Sequence, residues 1–207
     1  MSKRCIIVAS ALEDACAVEC AAGDFVVAAD AGYLCCNKHG IIPDLVVGDF
    51  DSMRIEELDG AACEHVQLPC AKDDTDTLAA IRAGLEQGCS EFHIYGGIST
   101  DMAHSFANFQ CLNFLKEHNA HGFLHTEGQV AQLVYAGSEL QFEDEINKRL
   151  SIFALGQRAC KVSLRGTKWT LDNATLSETF PVGVSNVIIE KSAKLSVHEG
   201  KLLCILG

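Results

Sequence analysis

The first 127 residues alternate short apolar runs with longer segments of helical periodicity. The runs are almost continuous in apolar residues, which favours strands that a parallel sheet buries on both faces. They lie at residues 5–9, 25–29, 45–47, 65–68 and 92–95. Residues 75–87 and 102–118 carry the spacing of apolar side chains that is typical of helices. This order predicts a doubly wound, mostly parallel α/β domain over residues 1–127.

Residues 128–207 carry a second pattern, in which short strand-like runs are separated by glycines. Several runs alternate apolar and polar residues, as residues 194–197 do. The runs lie at residues 132–135, 139–142, 150–154, 161–164, 187–190, 193–197 and 202–206. Short strands at turn spacing predict an antiparallel β-sandwich as a second domain over residues 128–207.

Composition and charge disfavour several classes of function. The net charge of −12 disfavours nucleic acid as a partner, because its phosphates attract lysine and arginine. No apolar segment approaches the ~18 residues of a membrane span, and the apolar run near the start is too short for a secretory signal. The 11 cysteines form no CxxC pair and lie mostly in apolar runs, which is typical of free thiols in a reducing compartment. We therefore expect a cytoplasmic protein without a membrane partner.

Acidic residues follow three of the predicted strands. Asp30 closes the second strand, Asp49 and Asp51 follow the third, and the segment 72–76, Lys-Asp-Asp-Thr-Asp, follows the fourth. Because ligands of open α/β sheets bind at the carboxyl ends of the strands, we expect these carboxylates to converge. Gathered like charges raise the energy of the folded state unless a cation offsets them, and Mg²⁺ prefers oxygen ligands.

Each of these residues also has a purely structural interpretation. Asp30 could initiate a turn before Gly32, and the carboxylates of residues 73–76 could cap the helix that begins near Thr75. Lys72 could contact a phosphate or could balance the local charge. Caps do not require acidic clusters at successive strand ends, so the whole set favours a magnesium site for the phosphates of a nucleotide.

A glycine pair, Gly96-Gly97, lies between the fifth predicted strand and the helix at 102–118. Glycine lets a ligand approach the backbone there, and the N-terminus of the following helix favours anions. His104 and Asn108 lie four residues apart and share one face of that helix. A tight turn would also need glycine, and the GxxxxGK[ST] pattern of a P-loop is absent from the sequence.

An ordered set of motifs resembles the thiamine pyrophosphokinase family across nearly the whole chain. The most specific motif is residues 43–52, Pro-Asp-Leu-Val-Val-Gly-Asp-Phe-Asp-Ser. The others are residues 29–32 (Ala-Asp-Ala-Gly), 72–77 (Lys-Asp-Asp-Thr-Asp-Thr), 96–97 with His104 and Asn108, 166–171 (Gly-Thr-Lys-Trp-Thr-Leu), 173–176 (Asn-Ala-Thr-Leu) and 185–186 (Ser-Asn).

The resemblance implies the same two domains and a homodimer with active sites between its subunits. It also implies that Asp49, Asp51 and Asp76 hold Mg²⁺ and that these residues and Asp73 form a catalytic cluster that positions the phosphates of ATP. Further contacts to ATP are implied for Asp30, Lys72, Thr75, Gly96, Gly97, Ser99, His104 and Asn108.

Thiamine is implied to bind in the second domain, at Trp169, Ser185 and Asn186. Trp169 is the only tryptophan, and its flat, electron-rich ring suits the pyrimidine and cationic thiazolium rings of thiamine. The structural alternatives are core packing for Trp169 and a turn cap for Ser185 and Asn186.

The glycine-rich motif departs from the family pattern at two positions. Asp101 stands where the family usually has arginine, and Ala103 stands where it has the aspartate before the histidine. An anion thus replaces a cation that would face phosphate, although Asp101 could partly replace the lost carboxylate. The departure admits weaker activity or another nucleotide.

The expected activity is transfer of the pyrophosphoryl group of ATP to the hydroxyethyl hydroxyl of thiamine, which gives thiamine diphosphate and AMP. Mg²⁺ is the expected cofactor, and an aspartate of the cluster could take the proton in an in-line displacement. Two alternatives remain open. One is a related pyrophosphokinase with another acceptor, such as a hydroxymethylpterin; the other is a non-catalytic dimer that binds thiamine diphosphate or nucleotide.

Overall fold

A computed structural model describes residues 3–9, 18–48, 64–67, 74–99, 101–156 and 160–207, and for 64–67 it describes the backbone alone. The chain divides into two compact units, residues 1–128 and 129–207. Four of the predicted site residues lie outside the described ranges: Asp49, Asp51, Lys72 and Asp73. Within those ranges no helix is both long and apolar enough to cross a membrane.

The described residues of the first unit form six strands in one parallel arrangement. The strands are β1 (Arg4–Val8), β2 (Phe25–Ala29), β3 (Leu45–Gly48), β4 (Glu64–Gln67), β5 (Glu91–Tyr95) and β6 (His121–Thr126). Their spatial order is β6-β5-β1-β2-β3-β4, and every neighbouring pair is parallel. The five strands predicted from apolar runs are confirmed. β6 was not predicted, because Leu124 is its one fully buried side chain and the segment has no apolar run.

Three helices connect these strands: α1 (Gly32–Lys38), α2 (Asp76–Glu86) and α3 (Met102–Glu117). The last two confirm the predicted helices, whereas α1 has only seven residues and was not predicted. α1 links β2 to β3, α2 links β4 to β5, and α3 links β5 to β6. Because each helix joins two parallel strands, each must run back against the strand direction. The N-termini of all three helices therefore lie at the carboxyl edge of the sheet.

Two glycines allow the helices to approach the strands closely. A Cβ at Gly84 of α2 would lie 2.6 Å from the ring of Phe92 and 2.8 Å from the sulfur of Cys5. A Cβ at Gly32 of α1 would collide with the carbonyl oxygen of Val8 and would lie 3.4 Å from Cγ1 of the Val8 side chain, which belongs to one buried cluster with Tyr33 of α1. Cys5 and Val8 are three positions apart on β1, so their side chains point to opposite faces. α1 and α2 therefore cover different faces of the sheet.

The second unit consists of antiparallel strands. They are β7 (Gln129–Tyr135), β8 (Glu139–Glu143), β9 (Arg149–Ala154), β10 (Cys160–Arg165), β11 (Leu171–Leu176), β12 (Asn186–Val187), β13 (Ser192–Glu199) and β14 (Lys201–Leu206). They pair in two orders, β12-β9-β14-β7 and β11-β10-β13-β8. One cluster of buried side chains takes members from both sets, including Ile152 of β9 and Leu164 of β10.

Two strands of this unit differ from the prediction. β11 was not predicted, because Asp172 and Asn173 interrupt its apolar residues. The predicted strand 187–190 is reduced to β12, which spans two residues, and Ile188 then forms an isolated bridge with Thr167. The remaining six predicted strands of this half are confirmed within a few residues.

Candidate active site

The registers of the parallel strands bring the strand ends of the first unit to one edge. Val8 of β1 is paired with Ala28 of β2 on one side and with Tyr95 of β5 on the other. Segments that follow β2, β3 and β5 therefore emerge side by side. Together with the N-termini of α2 and α3, this edge holds the described candidate residues of the first unit: Asp30, Thr75, Asp76, Gly96, Gly97, Ser99 and His104.

Asp30 occupies a constrained turn directly after β2. Its φ angle is +45°, a left-handed conformation that is uncommon for residues other than glycine. Its backbone N–H donates to the oxygen of Val47 at 2.8 Å, and its carbonyl accepts from the N–H of Tyr33 at 3.0 Å. A Cβ at Gly48 would lie 3.2 Å from the Cβ of Asp30, so the two backbones are in close approach. The turn fixes Asp30 beside the end of β3.

The hydrogen bonds at the start of α2 identify the residue that caps this helix. Thr75 is the N-cap residue, since its hydroxyl accepts from the N–H of Leu78 at 3.2 Å. Asp76 is the first residue of the helix, where a carboxylate is favoured by the helix dipole. Asp74 binds Arg82, with 2.8 Å between Nε and the carboxylate. Of residues 74–76, the cap is thus the threonine and not an aspartate.

Asn108 supports the glycine pair from inside the unit. Its side chain is buried, and its Nδ2 donates to the carbonyl of Gly97 at 2.7 Å. Gly96 has a φ of +72°, and a Cβ at Gly97 would lie 3.0 Å from a methyl group of Leu124. Both glycines are therefore required by the turn itself, and Asn108 holds that turn in place.

The carboxylate of Asp101 caps α3. It accepts from the N–H of Ala103 at 2.8 Å and from that of His104 at 3.2 Å. These two bonds lower the pKa of Asp101, because they stabilise the charged form. Ser99 and Ser105 complete the turn: the N–H of Ser99 donates to Ser105 Oγ at 3.0 Å, and Ser99 Oγ accepts from the N–H of Asp101 at 3.2 Å. The Asp101 carboxylate is thus engaged by its own helix.

Metal-ligating side chains do not cluster within the described ranges. No group of three or more His, Cys, Asp or Glu residues is arranged there to hold a metal ion. Of the three residues assigned to Mg²⁺ by the sequence, only Asp76 is described. The magnesium site therefore stays a prediction.

An apolar cavity of about 320 Å³ lies in the second unit. Trp169 is 55% exposed and forms part of its wall. The other lining residues are apolar apart from one amide: Ile152, Leu164, Leu171, Leu176, Val182, Gly183, Val184 and Asn186. Two of the three residues implied for thiamine, Trp169 and Asn186, thus meet at one cavity.

Asn186 clamps the backbone of Trp169 from 17 residues away. Its Oδ1 accepts from the N–H of Trp169 at 3.1 Å, and its Nδ2 donates to the Trp169 carbonyl at 2.7 Å. Nδ2 also donates to Thr167 Oγ1 at 3.3 Å, and that hydroxyl donates to the Trp169 carbonyl at 3.1 Å. Oδ1 accepts a further N–H from Val187 at 2.9 Å. Asn186 and Thr167 are buried, so these bonds set the position of the indole.

Ser185 takes part in a turn, which is the structural alternative that the sequence left open for it, whereas the role of Thr167 was not predicted. Ser185 is exposed, has a φ of +58°, and donates its N–H to Ser151 Oγ at 3.0 Å. It therefore shapes the turn next to the cavity, whose lining includes its neighbour Val184. Thr167 had no assigned role, and its sequence signal is its place in the motif at residues 166–171, two residues before Trp169.

A second cavity in this unit is polar and has a volume of about 580 Å³. Its lining residues come from β10, β11 and β13: Ser163, Arg165, Asp172, Asn173, Lys194, Ser196 and His198. Its lysine and its arginine already have carboxylate partners. Lys194 Nζ lies 2.7 Å from Glu139 Oε2, and Arg165 Nη2 lies 3.4 Å from Asp172 Oδ1. An aromatic ligand is better matched by the apolar cavity.

Each unit matches a known family domain, and the two matches follow one another along the chain. Residues 19–124 match the family described as "Thiamin pyrophosphokinase, catalytic domain". Residues 138–202 match "Thiamin pyrophosphokinase, vitamin B1 binding domain". The first match alone covers more than half of the chain, and the second contains Trp169, Asn186 and most of the apolar cavity.

Individual relatives agree with these matches. The chain is 27% identical over 183 residues to the thiamine pyrophosphokinase of Bacillus subtilis, which covers 86% of this chain and 85% of that protein. A crystal structure of thiamine pyrophosphokinase from B. subtilis superposes with a TM-score of 0.88 and 24% identity over 99% of each chain. The yeast enzyme superposes with a TM-score of 0.81 and 13% identity, over 99% of this chain and 86% of that one. At these identities the superpositions establish the fold, and the two domain matches establish the relationship: the chain belongs to the thiamin pyrophosphokinase family.

Proposed function

We propose that this chain is a thiamine pyrophosphokinase, which converts ATP and thiamine to AMP and thiamine diphosphate. The observation that carries the proposal is the apolar cavity beside Trp169 in the unit that matches a vitamin B1 binding domain. A nucleotide-only binder would not need such a cavity. The match of the first unit to a catalytic domain supports the transfer of the pyrophosphoryl group from ATP.

The cavity fits the aromatic part of thiamine. Small-molecule sites are mostly apolar with a few fixed polar groups, and this cavity combines apolar side chains with the amide of Asn186. The indole of Trp169 offers a flat face for an aromatic ring. Because Asn186 and Thr167 hold the Trp169 backbone, this face is arranged before the ligand arrives, and less entropy is lost on binding.

The carboxyl edge of the first unit fits the phosphates of ATP and their metal. The donors there are carboxylates, among which Asp30 and Asp76 are described, and oxygen donors suit Mg²⁺. We assign Asp49, Asp51 and Asp76 to the metal and Asp73 to the same cluster, as the sequence indicates. When bound, Mg²⁺ would neutralise the charge of the phosphate oxygens.

The reaction is a single displacement at the β-phosphorus of ATP. The hydroxyl oxygen of thiamine forms a bond to that phosphorus, while the bond from the β-phosphorus to the oxygen that AMP retains is broken. The hydroxyl proton passes to a carboxylate of the aspartate cluster. Positioning and charge neutralisation supply most of the acceleration in such reactions. Thr75, which caps α2, and Asn108, which fixes the glycine turn, hold the backbone that these carboxylates and phosphates need.

We further propose a cytoplasmic homodimer in which active sites form between subunits. Support for the dimer comes from large apolar side chains of the second unit that are exposed: Trp169, Val182 and Val184, which line the cavity, and Phe180 and Ile189, which do not. Exposed patches of this kind mark interaction sites.

We also propose a fold class for each unit. The first unit is doubly wound, which is supported by helices on both faces of its sheet, and the second is a β-sandwich, which is supported by the core that its two sets of strands share.

Mass spectrometry of the products tests the proposal. Purified protein is incubated with ATP, Mg²⁺ and thiamine, and equimolar thiamine diphosphate and AMP are expected. ADP with thiamine monophosphate would show a simple kinase and contradict the reaction type. Binding of thiamine without any product would favour the non-catalytic alternative and would direct attention to Asp101 and Ala103. A parallel incubation with a hydroxymethylpterin tests the acceptor.

A further inference from the structure

The ring of Trp169 already carries a cation from its own chain. The Nζ of Lys168 lies 4.7 Å from the centroid of the indole, which is cation–π distance. The backbone beneath both residues is held: the N–H of Lys168 donates to the carbonyl of Val187 at 2.9 Å, and Asn186 clamps Trp169. The ammonium group therefore reaches the ring from a backbone that hydrogen bonds hold in place.

The charge around the cavity is one-sided. Among the described residues that line it, none carries a carboxylate, and Asn186 is the polar member. A cationic ligand on this indole would therefore meet no counter-charge from the lining. It would meet the ammonium of Lys168 on the same ring instead.

We propose that Lys168 is a specificity-determining residue that weakens binding of cationic ligands at Trp169 and strengthens binding of ligands that carry a diphosphate. This inference rests on the proposed function, in which thiamine and its diphosphate both occupy the cavity. Thiamine carries one positive charge on its thiazolium ring, so Lys168 competes with it for the indole. Thiamine diphosphate carries the same ring with an anionic tail, and the flexible Lys168 ammonium over Trp169, itself a residue of the cavity wall, attracts that tail.

The magnitude follows from the strength of an exposed cation–π contact. Such a contact is worth about 0.5–1 kcal/mol, so its loss corresponds to about a two- to fivefold change in a dissociation constant. An exposed ion pair between Lys168 and a phosphate has a similar size. The two effects have opposite signs, so the ratio of the thiamine Kd to the thiamine diphosphate Kd should change by about 4- to 25-fold when the charge is removed.

Fluorescence of Trp169 provides the direct measurement, because this is the only tryptophan in the chain. The full-length protein is titrated with thiamine and, separately, with thiamine diphosphate, and the quench of Trp169 emission gives each Kd. We expect Lys168→Met to bind thiamine more tightly and thiamine diphosphate more weakly than the wild type. Lys168→Arg keeps both the charge and the stacking and should resemble the wild type. Lys161→Met removes a lysine that pairs with Glu199 in the same unit and should change neither Kd.

Ionic strength separates this charge effect from a change in packing. In about 1 M salt the screening length is about 3 Å, so the difference between wild type and Lys168→Met should shrink. If wild type binds thiamine and forms product but Lys168→Met leaves the Kd ratio unchanged, the inference about Lys168 is wrong while the proposed function stands. An equal shift of both constants in one direction would also overturn it. If thiamine neither quenches wild-type Trp169 nor is converted, both the inference and the proposed function fail.

Discussion

Replacement of Asn186 by alanine tests whether a buried amide holds the thiamine pocket together. Asn186 is 5% exposed and makes four hydrogen bonds, two of them to the backbone of Trp169. Alanine leaves the N–H and carbonyl of Trp169 without these partners in a partly buried place. Each lost bond costs about 1 kcal/mol net, and the carbonyl keeps one bond, from Thr167. We expect the second unit to lose about 2–4 kcal/mol of stability.

Urea denaturation followed by the emission of Trp169 measures this loss in the unit that contains it. With a slope of about 2 kcal/mol per M, the midpoint should fall by about 1–2 M. Asn186→Asp should be at least as unstable, because a carboxylate cannot donate to the Trp169 carbonyl, which lies 2.7 Å from Nδ2 in the native amide. Thiamine should also bind more weakly to both variants, since the indole is no longer held in place.

Thr170→Ala serves as the matched control, because Thr170 is exposed and adjacent to Trp169. It should change the free energy of unfolding by no more than about 0.5 kcal/mol. A midpoint for Asn186→Ala within the range of this control would refute the reasoning that the clamp supports the pocket. Lost stability with unchanged thiamine affinity would limit the clamp to a structural role.

Three further predictions concern the first unit. Asp51→Asn and Asp76→Asn should each lower kcat by roughly 10²-fold or more in the thiamine diphosphate assay while the melting temperature changes little, because each removes a carboxylate that the proposed function assigns to Mg²⁺, and Mg²⁺ would neutralise the phosphate oxygens. Gly32→Ala should destabilise the protein by at least about 2 kcal/mol in thermal melts, since its Cβ would collide with the β1 carbonyl. His125 has its pKa lowered to about 4, first by burial and then by the neighbouring His93. An unfolded histidine titrates near 6.5, so between pH 6.5 and about 4 the unfolded state binds more protons than the folded state. The free energy of unfolding should therefore decrease as the pH is lowered through this range, and it should decrease less steeply in His125→Gln.

Each of these predictions has a matched control. Asp172→Asn removes an exposed carboxylate of the second unit and should leave kcat unchanged. A Cβ at Gly40 would meet no atom within 4 Å, so Gly40→Ala should cost only about 1 kcal/mol, which reflects its φ of +67°. His39→Gln removes an exposed histidine and should keep the wild-type pH dependence of stability. Loss of turnover in the Asp172 variant, or equal effects of the two glycine changes, would contradict these arguments.

The elements that the sequence predicted best are those with a strong local pattern. β2, and β1 after Arg4, are continuous apolar runs because both of their faces are covered, and α2 and α3 carry helical periodicity over several turns. Elements without such a pattern were not predicted. α1 is only seven residues long, and β11 contains Asp172 and Asn173, so no window of sequence distinguishes either from a loop.

The assignment of roles within the motifs depended on the structure. The sequence allowed the carboxylates of residues 73–76 to cap α2, and the structure shows that Thr75 is the cap instead. Asp101 could have replaced a lost carboxylate, but its carboxylate accepts two N–H groups of its own helix. Asn108 was assigned to ATP, and its amide holds the carbonyl of Gly97. For the cap of α2 a hydrogen bond of definite direction decided between interpretations that composition and spacing leave equal, whereas the ATP contacts assigned to Thr75 and Asn108 stay predictions.

The sequence by itself determined the family, the order of the two units and the residue types at the site. These depend on motifs and periodicities that are contained in short stretches of chain. Only the tertiary structure decided that Trp169 and Asn186 meet, and that Lys168 lies over the indole. The physical reason is range: 17 residues separate Asn186 from Trp169, and their contact depends on how β12 and the turn at Thr167 are brought together by pairing across the unit.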